Sequence, residues 1–165
     1  MTKTTTAKSS RARAISADTE TVAQILERER DALIHDWLAL VEKQEGLMAI
    51  PLSYQDRTAH LPQLLTDVIA RLGLDAWTTA SISLAAGHHG NLRRQQDYSA
   101  AMLVEESRIL EVRLFTTLHK NATRLDYEQL LPDVVTIADE VDAQLKVQML
   151  RYIVGHAVGS QPVVH

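Results

Sequence analysis

The chain has 165 residues, of which 45% are hydrophobic, 23% charged and 4% aromatic, with no cysteine and a formal net charge of −4. That length allows one domain with a core large enough to be stable without staples, and the lack of cysteine excludes disulfides, cysteine-ligated zinc and a thiol nucleophile. The acidic balance argues against nucleic-acid binding, which needs a basic face, and no apolar run is long enough to span a bilayer.

Residues 1–17 carry Lys3, Lys8, Arg11 and Arg13 among many Ser and Thr, without one acid. This composition predicts a disordered basic tail, with a cleaved organellar presequence as the second reading. A helical domain is expected over 18–157 and a frayed end over 158–165. The first helix is predicted from near Asp18 or Thr19, with Val22, Leu26, Leu33, Trp37 and Leu40 at helical spacing and Gly46 as its stop. Ser53 and Asp56 form an N-cap pair for the next helix. Pro62 then opens a new segment or kinks this one. Leu61, Leu65, Val68 and Leu72 make its stripe, and Gly73 closes it.

Asp75 is placed to cap a third helix ending near Gln96, and a fourth runs from about Tyr98 to Lys120. Asn121 to Asp126 is a polar break. A long last helix follows, with Pro132 expected in its first turn or at a kink. Leu131, Val134, Ala138, Val141, Leu145, Gln148 and Tyr152 recur there at alternating spacings of three and four, a heptad seam. It serves the core or a dimer interface, and Val134, Val141, Leu145 and Tyr152 are the candidate output or dimer seam. The fold class expected is all-α, a bundle of about five main helices in one domain.

One stretch carries unusual chemistry. Ala80, Ser83, Gly87 and Gly90 share a stripe of small residues. Two glycines in a helix interior cost about 1 kcal/mol each relative to alanine, so Gly87 and Gly90 point to a close helix neighbour. His89 lies on the adjacent stripe, with Arg93 one turn later. On the following helix Glu106 shares the core-facing stripe of Leu103, Leu110, Leu114 and Phe115. A carboxylate there is costly unless paired, so Glu106 is expected to meet Arg93, His89 or both. Two readings stand: a buried polar clasp that sets helix register, or a ligand or switch site in which a histidine beside a carboxylate changes charge near neutral pH.

His89-Gly90-x-x-Arg93, Tyr98-Ser99 and Leu103-Val104-x-Glu106-x-x-x-Leu110 together resemble the signature of the RsbRD-type N-terminal domain. The resemblance covers roughly Thr21 to Tyr152 and includes Trp37 and Leu61-Pro62-x-Leu64-Leu65. That family is a helical input module of RsbT co-antagonist proteins of the bacterial stress response, found also at the front of sensor histidine kinases. It implies a cytoplasmic bacterial sensor domain acting in signal transduction through protein–protein interaction, with a kinase-type or stress-response regulator as partner. No enzyme activity, cofactor or metal is expected of the chain, and the resemblance establishes no ligand. His89, Arg93, Tyr98 and Glu106 become the candidate clasp or ligand groove. The family often has glycine just before the tyrosine, where this chain has Asp97. An output domain usually follows in the family, so this chain is expected to be a stand-alone member or an excised fragment.

Rival chemistries have weaker signals. Phosphotransfer would use His35 or His88, yet His35-Asp36-Trp37-Leu38 keeps only the acid of a kinase dimerisation helix, and His88-His89-Gly90 keeps neither common pattern. A di-iron bundle needs Glu-x-x-His pairs, and none occurs. Zinc through His89, Glu106 and another histidine, or haem on His88, His89 or His119, has no supporting spacing. A ligand-free oligomerisation module is the remaining alternative. There is no nucleophile elbow or phosphate-binding glycine loop.

Overall fold

The computed structural model describes residues 19–74 and 83–159, with side chains as far as Gly155. The predicted basic tail, the Asp75 cap, Ala80 and residues 160–165 lie outside the described residues. The described chain is helical, and its one β-bridge joins Glu20 to Leu125.

Helix α1, Val22–Arg28, opens on a capping box in which Thr21 and Gln24 satisfy each other's backbone N–H groups. It bends at Glu29 into α2, Arg30–Val41. Glu29 N–H still bonds Ile25 O at 2.9 Å and Leu33 N–H bonds Glu29 O at 2.8 Å, so the predicted single helix is bent rather than cut. Gly46 does not end it, but sits inside the short α3, Glu45–Met48. Helix α4, Tyr54–Thr58, starts on Ser53, whose hydroxyl accepts from Asp56 N–H and donates to the Asp56 carboxylate. Helix α5, Leu61–Leu72, carries Pro62 in its first turn, where the missing N–H costs nothing, and ends at Gly73.

Helix α6, Leu84–Gln95, is capped by Ser83. Helix α7, Ala100–Lys120, is capped by Ser99. After a 3-10 turn at Ala122–Arg124 comes α8, Tyr127–Gly159, with Pro132 inside it, past the first turn. Five of these helices, α2, α5, α6, α7 and α8, have 12 or more residues.

Helix α8 is the spine. Its 33 residues span roughly 50 Å at the α-helical rise, and α5, α6 and α7 all pack on it. The core between them gathers Ile25, Leu33, Trp37, Leu61, Leu65, Val68, Ile109, Leu114 and Ile137. The α6–α8 contact is the closest in kind. A Cβ built on Gly90 would lie 2.8 Å from Gln148 Cα, so only glycine lets these backbones meet there. Gly87 has ordinary room, its nearest neighbour being Arg151 Cγ at 3.5 Å.

The heptad seam is shifted from its expected phase. The inward stripe of α8 is Leu130, Val134, Ile137, Val141, Gln144 and Gln148. Val141 is thereby buried in the protomer's own core, and Val134 packs against it, so neither is free to form the predicted dimer seam. Tyr152 is half-buried and donates its hydroxyl proton to Tyr98 O at 2.8 Å. Leu145 alone of the four belongs to a second stripe, with Leu131, Val135, Ala138, Asp142, Met149 and Ile153. Leu131, Val135 and Ile153 on that stripe are 69%, 62% and 56% exposed.

Candidate functional site

The predicted clasp residues come together where α4, α5, α6 and α7 meet. His89 and Arg93 are one turn apart on α6 and both face inward. The helix then ends in a Schellman-type turn: Tyr98 N–H bonds Arg93 O at 3.0 Å and Asp97 N–H bonds Arg94 O at 3.2 Å. This turn puts Asp97 at φ 61°, the left-handed region where glycine is unstrained. It also sends Tyr98 back into the core, where it is 2% exposed. Glu106 arrives from the second turn of α7.

The Glu106 carboxylate uses both oxygens. Oε2 accepts from His89 Nε2 at 3.1 Å and from Arg93 Nε at 3.0 Å, and Oε1 accepts from the Tyr98 hydroxyl at 3.0 Å. Its backbone carbonyl takes a bond from Trp37 Nε1 at 3.2 Å, which ties α2 to the same turn. The rest of the Arg93 guanidinium is spent on Asp56 O, Arg57 O and Gln96 Oε1, at 3.1, 2.9 and 2.8 Å. It also lies 4.7 Å from the centroid of the Tyr98 ring.

Two members were not foreseen. Arg57 of α4, 2% exposed, donates to Tyr98 Oη at 3.1 Å and to the carbonyls of Leu47 and Ile50. A signal existed: Arg57 falls in line with Leu61, Leu65 and Val68, a charge on an apolar stripe like Glu106. His60, at the start of α5, stacks on His89 with ring centroids 3.6 Å apart and planes 13° from parallel. The Trp37 ring meets His60 edge-on at 5.7 Å. Only tertiary folding reveals His60, since no motif surrounds it.

Burial and charge set the protonation states. Burial pushes Glu106 up, but the His89 bond and the Arg93 guanidinium outweigh it and hold the carboxyl below its usual range. Burial pulls His89 down despite Glu106, and pulls His60 well down with help from the charges of His89 and Arg93. Burial and the adjacent carboxylate raise Tyr98 to about 12. The clasp at neutral pH is therefore one carboxylate, two guanidiniums and two neutral imidazoles. A neutral His89 facing an acceptor-only carboxylate must carry its proton on Nε2. Its Nδ1 lone pair is then buried with no partner among the described residues.

His60, His89 and Glu106 are close enough to suggest a metal site, with their ligand atoms within 4.8 Å of one another. The arrangement does not fit one. A metal must lie in the plane of each imidazole it binds, and two nearly parallel stacked rings share no such point. Glu106 Oε2 is already engaged by Arg93, whose charge opposes a cation. Space is also small: the cavity between His60, His89, Glu106, Gln144 and Gln148 is about 10 Å³, room for one water. A larger open cleft of about 480 Å³ lies between α5, α6 and α8, lined by Asp67, Arg71, Ser83 and Glu140. His35, His88 and His119, the other histidines considered for phosphate or haem, are exposed.

Among the described residues no helix is long and apolar enough to cross a membrane. No family model, curated protein or solved structure matches the chain.

Proposed function

We propose that the protein is a non-catalytic bacterial signal-input module of the RsbRD type, cytoplasmic and homodimeric, which passes a signal to a regulatory partner by a shift in helix packing. The observation that carries this reading is the charged clasp. It spends buried charge at one junction of four helices, where apolar side chains would pack with less desolvation. Its members also lead to α8. Gln144 bonds Leu64 O on α5, Gln148 seats Gly90 of α6, and Tyr152 bonds Tyr98 O. A change at Glu106 thus has a contiguous route to the spine. The resemblance supplies the class of partner, a kinase-type or stress-response regulator.

The test is hydrogen–deuterium exchange of wild type and Glu106→Gln. Loss of protection spreading from the clasp into residues 140–152 supports transmission through α8. Loss confined to α4–α7 would overturn it.

A pure oligomerisation module is the second reading, favoured by the exposed stripe on α8. Sedimentation analysis of wild type against Leu131→Glu/Val135→Glu addresses it. A dimer that the double variant converts to a monomer supports self-association through that face. A monomeric wild type excludes it, together with the homodimer of the first reading.

A further inference from the structure

The His60–His89 stack is uneconomical as structure. His60 caps no backbone group with its side chain, and its aromatic neighbours among the described residues are Trp37 and His89. A phenylalanine would fill the same slot without a polar nitrogen to desolvate. His89 keeps a buried Nδ1 with no partner among the described residues. Two neutral imidazoles, face to face, thus sit in a corner that already holds one more guanidinium than carboxylate.

The surroundings offer little to a third cation. From α6 the stack meets Arg93, with His88 exposed beside it. From α7 it meets Glu106, both of whose oxygens are taken, and the neutral Ser107. From α8 it meets Gln144 and Gln148, with Glu140 one turn back and bonded to Gln144. Arg57 of α4 reaches the same carboxylate through Tyr98. Arg30 of α2 bonds Pro62 O on the next turn of α5.

We propose that the stacked His60–His89 pair is a proton-operated release of the clasp. One proton from water, added to a ring nitrogen lone pair, drives the rings apart and frees the start of α5 from α6. His60 is the ring that leaves, because it makes no side-chain hydrogen bond among the described residues, whereas His89 is tied to Glu106. The signal received would be acidification. This rests on the signal-input reading and names its trigger.

The sign follows from linkage. Both histidines bind a proton less readily folded than unfolded, so the unfolded chain takes up more protons below pH about 6.5 and stability falls with pH there. Each proton makes the unfolding constant rise up to about tenfold per pH unit.

The experiment uses the full chain, wild type and His60→Phe. Urea unfolding is followed from pH 8 to 5.5, and the ring resonances of His60 and His89 are titrated by NMR. Expected is a steep loss of stability in wild type below pH 6.5. The slope should be shallower by about one proton in His60→Phe. The NMR titration should show the two rings changing together with local opening of α5. Equal slopes in the two proteins would overturn the proposal. So would independent titration of each ring near its ordinary value without any opening. If His60→Phe does not fold, the wild-type ring titration decides alone. Failure here with α8 still responding to Glu106→Gln removes only the proton trigger. Failure of the exchange experiment removes the input reading itself.

Discussion

The clasp and the outer face of α8 invert the usual distribution of polarity. At the junction of α4 to α7, Arg57, Arg93 and Glu106 are 2%, 0% and 3% exposed. On the far side of α8, Leu131 and Val135 stand more than 60% exposed. Buried charge is tolerated because the Glu106 carboxylate and both guanidiniums are held by several hydrogen bonds each. Exposed apolar surface in one stripe has no such internal compensation and is satisfied only from outside. The inside is thus satisfied by geometry, and the outer stripe is left to solvent in the protomer. One region specifies packing within the protomer, and the other is where a partner would be felt.

The sharpest way to break the contrast is Glu106→Gln. Removing the one buried anion leaves two guanidiniums without it, and a loss of about 3–5 kcal/mol is expected in urea unfolding. Gly90→Ala should follow, at about 1–3 kcal/mol of overpacking against Gln148. Gly87→Ala, three residues earlier with ordinary room, should instead gain up to about 1 kcal/mol. Opposite signs for the pair, read by thermal unfolding, locate the tight α6–α8 backbone approach at Gly90. Asp97→Gly should stabilise by up to about 1 kcal/mol, since glycine adopts the left-handed turn without strain. An unchanged or lowered melting temperature would count against strain at that turn. Leu131→Glu/Val135→Glu should shift protomer stability by no more than about 0.5 kcal/mol, because surface changes away from the core cost little. Any effect should appear in the association state.

Much of the clasp was legible in the sequence. A carboxylate among Leu103, Leu110 and Leu114 announces a buried partner, and His89 and Arg93 sit one turn apart on the helix before it. The cost of desolvating a charge makes such a residue conspicuous on any apolar stripe. Arg57 followed the same rule, but α4 is so short that its stripe is hard to see. Asp97 marked a departure from the pattern the chain resembles, and the left-handed turn gives that departure its physical meaning. The dimer seam misled because a helix apolar on two faces supports two interleaved seams. Leu131 and Leu145 belong to one, Val134 and Val141 to the other, and spacing alone mixes them.

The sequence by itself determined the main helices, the Ser53 cap of α4 and the need of Glu106 for a cationic partner, since these follow from local spacing, side-chain capping and the cost of burying charge. Only the tertiary structure decided that His60 would stack on His89, that Gly90 rather than Gly87 would meet the α8 backbone, and which face of α8 turns inward. Each depends on segments tens of residues apart being brought within a few ångströms. No local pattern encodes that distance, because it is set by how all the helices pack at once.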